Sequence, residues 1–227
     1  MGDNDATHHY TGQSGEQYHA SFAIPEDSVA WVAAERAKKI ARHIRPQDTV
    51  LEYGVGYGWN LAHVRCAKRL GFDIASHMEP YVSGHGIEFV GQTADVADGS
   101  LDVIVCHHAL EHMIKPSEAV LEIRRMLRAG GRLLMFVPFE KERSYRNFRR
   151  DEPNHHLYSW NVQTLGNLLE ELGFGVVDAR VGQFGYDRFS AVWAHRFHTG
   201  RVGYRALRQF LHTIRPALEV QVVAQKK

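Results

Sequence analysis

Three glycines at alternate positions follow a short apolar run near residue 50. Val50–Asn60 reads VLEYGVGYGWN, in which Gly54, Gly56 and Gly58 come after the run and Glu52 precedes them. Glycine inside a helix or strand is less stable than alanine by roughly 0.5–1 kcal/mol, so three in five residues need a local reason. The cluster predicts a sharp turn, positive φ angles or a ligand pressed against the backbone.

The spacing of these glycines excludes two kinds of phosphate-binding loop. A dinucleotide-binding loop needs G-x-G-x-x-G, whereas Trp59 and Asn60 follow G-x-G-x-G in this chain. A P-loop needs Gly-Lys followed by Ser or Thr, and no such sequence follows the glycines. The carboxylate of Glu52 would repel a pyrophosphate but would suit a ligand with a positive charge. A strand-to-helix turn that binds nothing is the alternative.

A second pattern that could do chemistry is HHALEH at residues 107–112. It contains H-x-x-E-H, which inverted zinc metallopeptidases carry on a helix. On an α-helix, His108 and His112 would share a face and could hold zinc with Glu111 nearby. However, the stretch follows an apolar strand, and the sequence shows no convincing third ligand close by. We therefore assign no metal and keep zinc hydrolysis as an alternative.

Apolar runs and apolar residues at helical spacing predict the elements that position these groups. The predicted strands are 49–53, 69–74, 87–91, 101–106, 132–137, 176–181 and 218–223. The predicted helices are 28–44, 59–65, 117–127, 162–172 and 203–214. Alternation of strands and helices is typical of a doubly wound parallel sheet. Such sheets bind ligands beyond the carboxyl ends of their strands, which is where the glycines lie.

Residues 48–140 resemble a class I S-adenosylmethionine-dependent methyltransferase, of the small type 11/12 group that modifies metabolites. VLEYGVGYG is similar to the first motif of this family, and GFDIAS to the acidic end of its second strand. DGSLDVIVCHHALEH is similar to its fourth-strand motif, and EIRRMLRAGGRLLMFVP to the helix and fifth strand. Four motifs in the correct order are far more specific than any one of them.

The resemblance implies a fold and a domain organisation. We expect an α/β, Rossmann-like, doubly wound and mostly parallel sheet with an antiparallel final strand, in a single domain with an N-terminal helical cap. Residues 1–27 are polar and predict a flexible arm or lid. The methyltransferase domain is then 28–227, with a cofactor-binding core at 48–140 and acceptor-side elements at 141–200.

The resemblance also implies which residues bind S-adenosylmethionine or its product S-adenosylhomocysteine. The assigned positions are Glu52, Gly54, Gly56, Gly58, Asp73, Gln92, Thr93, Asp95, Cys106 and His107, with Tyr18 closing from the arm. The glycines would let the backbone approach the methionine part, and Glu52 would shape their loop. Asp73 would accept hydrogen bonds from both ribose hydroxyls. Residues 92–95 would lie near the adenine, although Gln92 or Thr93 stands where the family usually has an acid.

The acceptor side of the family pocket usually includes the segment after the fifth strand. This segment reads DEPNHHLYSW, in which His155 and His156 lie among Tyr158 and Trp160. Methyl transfer can need a base with a pKa near neutrality, and histidine meets that need. We predict His156 as the base, His155 as the second candidate, and the two aromatic residues as a wall of the pocket. The alternative is that one histidine caps the following helix or packs against the sheet.

Basic residues precede that segment in EKERSYRNFRR at 140–150. Arg143 and Arg146 are predicted to bind an acidic group on a small acceptor. Because aromatic residues lie between the basic ones, the run also suits RNA. A solvated face is the third interpretation.

Composition bounds the class of protein. The chain has 227 residues and a formal net charge of +1, which argues against strong affinity for nucleic acid. Two cysteines, the polar start and the absence of a long apolar run predict a cytoplasmic protein without a membrane span. As partners we expect a small-molecule acceptor and no membrane, and a homodimer is compatible with the sequence.

The predicted function is methyl transfer from S-adenosylmethionine to an oxygen or nitrogen of a small polar acceptor. A sugar or surface-glycan precursor and a natural-product intermediate are the candidate acceptors. Two alternatives stay open: an RNA or tRNA methyltransferase, and a non-catalytic regulatory module that binds S-adenosylmethionine.

Overall fold

A computed structural model describes residues 7–139, 147–150 and 154–227. Its centre is a seven-stranded sheet in the order β3-β2-β1-β4-β5-β7-β6. The strands are β1 (Thr49–Tyr53), β2 (Lys68–Phe72), β3 (Glu88–Val90), β4 (Leu101–His107), β5 (Leu127–Pro138), β6 (Phe174–Gln183) and β7 (Leu218–Lys226). Strands β1 to β5 pair in parallel, and β7 is antiparallel to both β5 and β6. The predicted fold class, including the antiparallel final strand, is confirmed.

Helices cover both faces of this sheet. The described helices are α1 (Thr7–Tyr10), α2 (Gly12–Phe22), α3 (Glu26–Ala41), α4 (Glu79–Gly84), α5 (Pro116–Met126), α6 (Val162–Glu171), α7 (Asp187–Arg196) and α8 (Gly200–Ile214). The near-continuous apolar run of β4 explains this arrangement, because its alternate side chains enter two different cores. Ile104 and Cys106 pack with α5 and α6, whereas Val103 and Val105 pack with α3. A strand buried on both faces is typical of a parallel sheet.

The structure differs from the predicted elements in three places. The segment 59–65 forms turns instead of a helix, because Asn60 hydrogen-bonds to the buried Glu52 and Leu61 is fully buried. Helices α4 and α7 were not predicted, and α7 has little apolar periodicity. The arm predicted at 1–27 is helical from Thr7 to Phe22, and its Tyr10 is only 8% exposed. Among the described helices, none is long and apolar enough to cross a membrane.

Candidate functional site

A cavity of about 1440 Å³ opens at the carboxyl ends of β1 and β4. Its floor includes the glycine loop after β1, and its walls come from α2, α3, the segment after β4 and the loop before α6. This is the switch point of the sheet, since β1 is flanked by β2 on one side and β4 on the other. The cavity therefore lies where the sequence analysis predicted a ligand.

The glycine loop has backbone angles that residues with a Cβ atom rarely adopt. Gly54, Gly56 and Gly58 have φ angles of 80°, 48° and 76°, in the left-handed region. A Cβ atom on Gly54 would lie 2.6 Å from the Cβ of Ala109 on the neighbouring segment. A Cβ on Gly56 would meet no atom within 4 Å, although Gly56 lines the cavity. The backbone at Gly56 thus has open space beside it within the cavity.

Asp73 connects the end of β2 to this loop. Its Oδ2 accepts a hydrogen bond from the Gly56 N–H at 2.9 Å, and its Oδ1 accepts one from the Ala75 N–H at 2.9 Å. The residue is 9% exposed and lines the cavity. Each carboxylate oxygen has a second lone pair, so Asp73 can still accept hydrogen bonds from a ligand. It both organises the loop and lines the cavity.

Glu52 lies beneath the loop and is outside the cavity lining. It is fully buried, and the side-chain amide of Asn60 donates to its Oε1. Burial raises the pKa of Glu52 to about 8, and the bond from Asn60 only partly offsets this effect. Glu52 is therefore mostly protonated at neutral pH and supports the loop from behind. Gly58 also lies outside the cavity lining.

The remaining residues predicted for the cofactor divide into two groups. His107 and Tyr18 line the cavity. Cys106 is fully buried in the sheet, and burial raises the pKa of its thiol well above the ordinary value. Gln92, Thr93 and Asp95 are absent from the cavity lining, and Asp95 lines a separate depression beside β2 and β3. The structure does not bring these three to the site, because Arg125 holds the Thr93 carbonyl against α5.

One wall of the cavity is a buried charge network that sequence reasoning missed. Lys39 Nζ on α3 donates to Glu219 Oε1 on β7 at 2.7 Å and to His107 Nε2 at 2.6 Å. His108 Nε2 lies 3.0 Å from Glu219 Oε2. Burial lowers the pKa of Lys39, His107 and His108, while the His108 and Lys39 contacts hold the pKa of Glu219 below its ordinary value despite burial. The sequence signal for this network is Glu219, an acidic residue within the apolar run that forms β7.

His112 and His156 meet on the opposite wall. Their ring centroids are 4.9 Å apart, and both residues line the cavity. Burial and the neighbouring His156 lower the pKa of His112 to about 3, so its imidazole is neutral. The hydroxyl of Tyr10 lies 2.6 Å from His112 Nδ1. Of the two predicted bases, His156 reaches the cavity, whereas His155 is exposed and its ring stacks on His9.

The inverted zinc metallopeptidase pattern does not form its required geometry. Residues Leu110–His112 make one short 3-10 turn, so His108 and His112 do not share an α-helical face. His108 has a positive φ of 52° and faces Glu219 instead. The described residues therefore lack the α-helix that the H-x-x-E-H motif needs.

The aromatic residues predicted for the acceptor do not form a wall of the cavity. Tyr158 donates its hydroxyl hydrogen to the Ile114 carbonyl and stacks on Trp160, with ring centroids 5.7 Å apart. Trp160 packs against the apolar core under α6, because its indole is the larger apolar surface. Neither residue lines the cavity. Arg143 and Arg146 lie outside the described residues.

Comparison with known proteins places the chain in a family. Residues 29–179 match the family model described as a methyltransferase domain. The chain is similar to a SAM-dependent methyltransferase of Thermotoga maritima, with 16% identity, a TM-score of 0.65, and 98% and 100% of the two chains covered. A SAM-dependent methyltransferase of Methanosarcina mazei gives 19% identity, a TM-score of 0.58, and coverages of 83% and 96%. The [4+2]-cyclase SpnF is 17% identical, with a TM-score of 0.60, and the match covers 84% of this chain and 79% of SpnF.

A curated relative is an uncharacterised 37.1 kDa protein in transposon Tn4556 of Streptomyces fradiae. It is 28% identical over 138 residues, which are 51% of this chain and 40% of the relative. The match thus spans less than half of that relative's length. The solved structures share the fold at identities below 20%. The family match over two thirds of the chain, together with its ordered motifs, shows that the chain belongs to the methyltransferase domain family, of the class I S-adenosylmethionine-dependent type.

Proposed function

We propose that the protein transfers a methyl group from S-adenosylmethionine to an oxygen or nitrogen of a small polar acceptor. The observation that supports this most is the open, left-handed backbone at Gly56, held by the Asp73 carboxylate at the floor of a large cavity. This arrangement suits a ligand that combines a compact cationic end with a ribose. The cavity also leaves space beyond such a ligand for a second molecule.

The described residues suggest how the donor would be held. The loop at Gly54 and Gly56 would bind its methionine part, and Asp73 would accept hydrogen bonds from its ribose. When bound, the sulfonium supplies a methyl group, which forms a bond to the acceptor's lone pair while the carbon–sulfur electrons stay with sulfur. The chain must then align the acceptor and exclude water, and such alignment can supply roughly 7–11 kcal/mol of barrier lowering.

The acceptor end of the cavity is polar and contains four histidines. His107, His108, His112 and His156 line it, and a neutral imidazole can accept a hydrogen bond or a proton from a hydroxyl. Polar walls of this kind favour an acceptor rich in hydroxyl groups, such as a sugar or glycan precursor or a natural-product intermediate. His156 is the predicted residue that acts on the acceptor.

Replacement of His156 by alanine tests that role. We expect methyl transfer to fall by about 10²–10⁴-fold, the range typical of a lost acid–base or positioning group. Binding of S-adenosylhomocysteine should change less than about threefold, because His156 belongs to the loop before α6 and not to the loop after β1 or the end of β2 that would hold the donor. His155→Ala is the matched control, since His155 is exposed. Equal activity of wild-type and His156→Ala protein would remove His156 from the mechanism.

The methyltransferase proposal itself is tested by calorimetry on ligand-stripped protein. S-adenosylmethionine and S-adenosylhomocysteine should each bind with a 1:1 stoichiometry. Release of S-adenosylhomocysteine in the presence of a panel of hydroxylated acceptors then measures transfer. No heat with either compound would contradict the proposal. Binding of S-adenosylmethionine without transfer to any acceptor would favour the regulatory module. A gel shift with total RNA would favour an RNA acceptor.

Helices α1 and α2 are proposed to act as a lid over the donor. Tyr18 and His19 line the cavity, and the Tyr57 hydroxyl after the glycine loop donates to the His19 carbonyl at 3.0 Å. Removal of residues 1–22 should weaken S-adenosylhomocysteine binding by at least about tenfold, or 1.4 kcal/mol. The melting temperature of the truncated chain is the control for folding. Unchanged affinity would show that these helices do not close the site.

A further inference from the structure

We propose that Glu111, His112 and His156 bind a divalent transition-metal ion, and that this ion binds an oxygen of the acceptor; the second part rests on the proposed function. One side-chain donor atom from each of the three residues lies within 4.8 Å of the others. Two imidazoles and one carboxylate form the ligand set of many catalytic zinc sites and of non-haem iron sites. Such sites keep coordination positions open, and this cluster faces the cavity.

The separation of two of the three donor atoms is close to that in a metal site. Glu111 Oε1 lies 3.8 Å from His112 Nε2. Ligands of a tetrahedral zinc ion lie about 2.0–2.1 Å from the metal, which places them roughly 3.3 Å from each other. A shift of about half an ångström in one side chain would close this pair around an ion. Glu111 is 1% exposed, so its carboxylate is removed from competing water.

Backbone contacts bring the third ligand to the other two. The N–H groups of Leu157 and Tyr158 donate to the Glu111 carbonyl at 2.8 and 3.2 Å. These bonds hold the loop that carries His156 against the segment after β4. His155 has a left-handed φ of 51° in this loop. A non-glycine residue in that conformation costs about 1–3 kcal/mol and is often found where a site needs a defined geometry.

A second contact orients His112 as a metal-binding histidine. The Tyr10 hydroxyl donates its hydrogen to the Asn154 carbonyl at 3.1 Å, so its oxygen is the acceptor for the N–H at His112 Nδ1, 2.6 Å away. On the other side of the ring, Nε2 lies 3.8 Å from Glu111 Oε1. In metalloproteins the nitrogen opposite the metal is almost always hydrogen-bonded in this way. Tyr10 would therefore hold the His112 ring through the nitrogen that does not bind the metal.

The second histidine cluster in the cavity already contains a cation, the ammonium group of Lys39. His107, His108 and Glu219 also lie at metal-compatible separations. However, the Lys39 ammonium donates to Glu219 at 2.7 Å and to His107 at 2.6 Å, so a cation of the protein occupies that position. A metal ion there would have to displace the ammonium from a buried carboxylate. The Glu111 cluster is therefore the favoured site.

A metal ion at the Glu111 cluster changes the predicted role of His156. A nitrogen lone pair that binds a metal cannot also accept a proton, so His156 would be a ligand and not a base. An acceptor hydroxyl bound to the ion would become more acidic, as zinc lowers the pKa of bound water from 15.7 to about 7. The hydroxyl proton would pass to bulk water, and the oxygen lone pair would form the bond to the methyl carbon. Of the two acceptor atoms proposed above, this mechanism favours oxygen.

Zinc titration of chelator-treated, full-length protein tests the site without cofactor or acceptor. Calorimetry should show one zinc ion per chain. The variants Glu111→Gln, His112→Ala and His156→Ala should each weaken its affinity by more than about 100-fold, and Tyr10→Phe by about 10–100-fold. Binding of S-adenosylhomocysteine, measured on the same samples, reports separately on the proposed function.

His108→Asn is the control that separates the two clusters. Asparagine tolerates the left-handed backbone at that position, so the variant should fold and bind zinc within about threefold of wild type. Thermal unfolding of every variant excludes loss of structure as the cause of weak binding. Absence of a 1:1 site, or zinc affinity that survives His112→Ala and His156→Ala but falls in His108→Asn, would overturn the proposal.

Discussion

Replacement of Asp73 by alanine is expected to weaken S-adenosylhomocysteine binding by at least about 100-fold, or 2.7 kcal/mol. Two losses combine in this variant. The ribose would lose a carboxylate that can accept both of its hydroxyl hydrogens. The Gly56 and Ala75 N–H groups would also lose their acceptors, which lie at 2.9 Å from each. An unsatisfied buried donor costs about 1–3 kcal/mol, so the loop itself should become less ordered.

Two further variants separate these effects. Asp73→Asn keeps one carbonyl oxygen, so it can satisfy one of the two backbone donors but not both; its affinity should lie between those of wild type and alanine. Asp178→Asn is the matched control, because Asp178 is a half-exposed carboxylate on β6, outside the cavity lining, and is paired with Arg180 at 3.2 Å. Calorimetry gives the affinities, and chemical denaturation gives the free energy of unfolding. Wild-type affinity in Asp73→Ala would falsify the assignment of the ribose site.

The sequence predicted the fold well where local pattern and burial agree. The apolar run of β4 is a strand because its alternate residues enter two cores, and no other element could bury both faces. The prediction failed at 59–65, where helical spacing is present but Asn60 reaches back to the buried Glu52. That hydrogen bond joins residues eight positions apart and fixes turns instead of a helix. Helix propensity depends on local residues and does not account for a side-chain hydrogen bond of this kind.

The candidate site shows the same division. The glycine loop and Asp73 were predictable because their roles follow from neighbouring residues and from the end of a strand. The wall formed by Lys39 and Glu219 was not, since 180 positions separate the two residues and only the order of β5, β7 and β6 brings them together. Likewise, spacing alone gives no reason for His156 to meet His112, because backbone bonds from 157–158 to Glu111 determine that contact.

Glu52→Gln is expected to stabilise the ligand-free protein at neutral and alkaline pH and to leave its stability unchanged below about pH 4.5. The folded-state pKa of Glu52 is about 8, against 4.5 as its ordinary value, because the side chain is buried. Between these two values the folded protein holds a proton that the unfolded chain has lost. The contribution of Glu52 is therefore fully present below pH 4.5 and is lost as pH rises through 8, a change of about 4–5 kcal/mol.

The difference in the free energy of unfolding between wild type and Glu52→Gln reports on the titration of Glu52 alone. Glutamine has the shape of the protonated acid and can still accept from Asn60, but it does not ionise. Denaturation by urea at several pH values should therefore give equal free energies of unfolding at about pH 4, and an advantage for Glu52→Gln that grows from about pH 4.5 to about pH 8 and is then constant. Glu88→Gln provides the comparison, since Glu88 is exposed and pairs with Lys68 at 2.8 Å; its difference from wild type should not vary with pH over this range. A pH-independent difference for Glu52→Gln would mean that the carboxyl beneath the glycine loop is ionised in the folded protein, and that the loop rests on a buried charge.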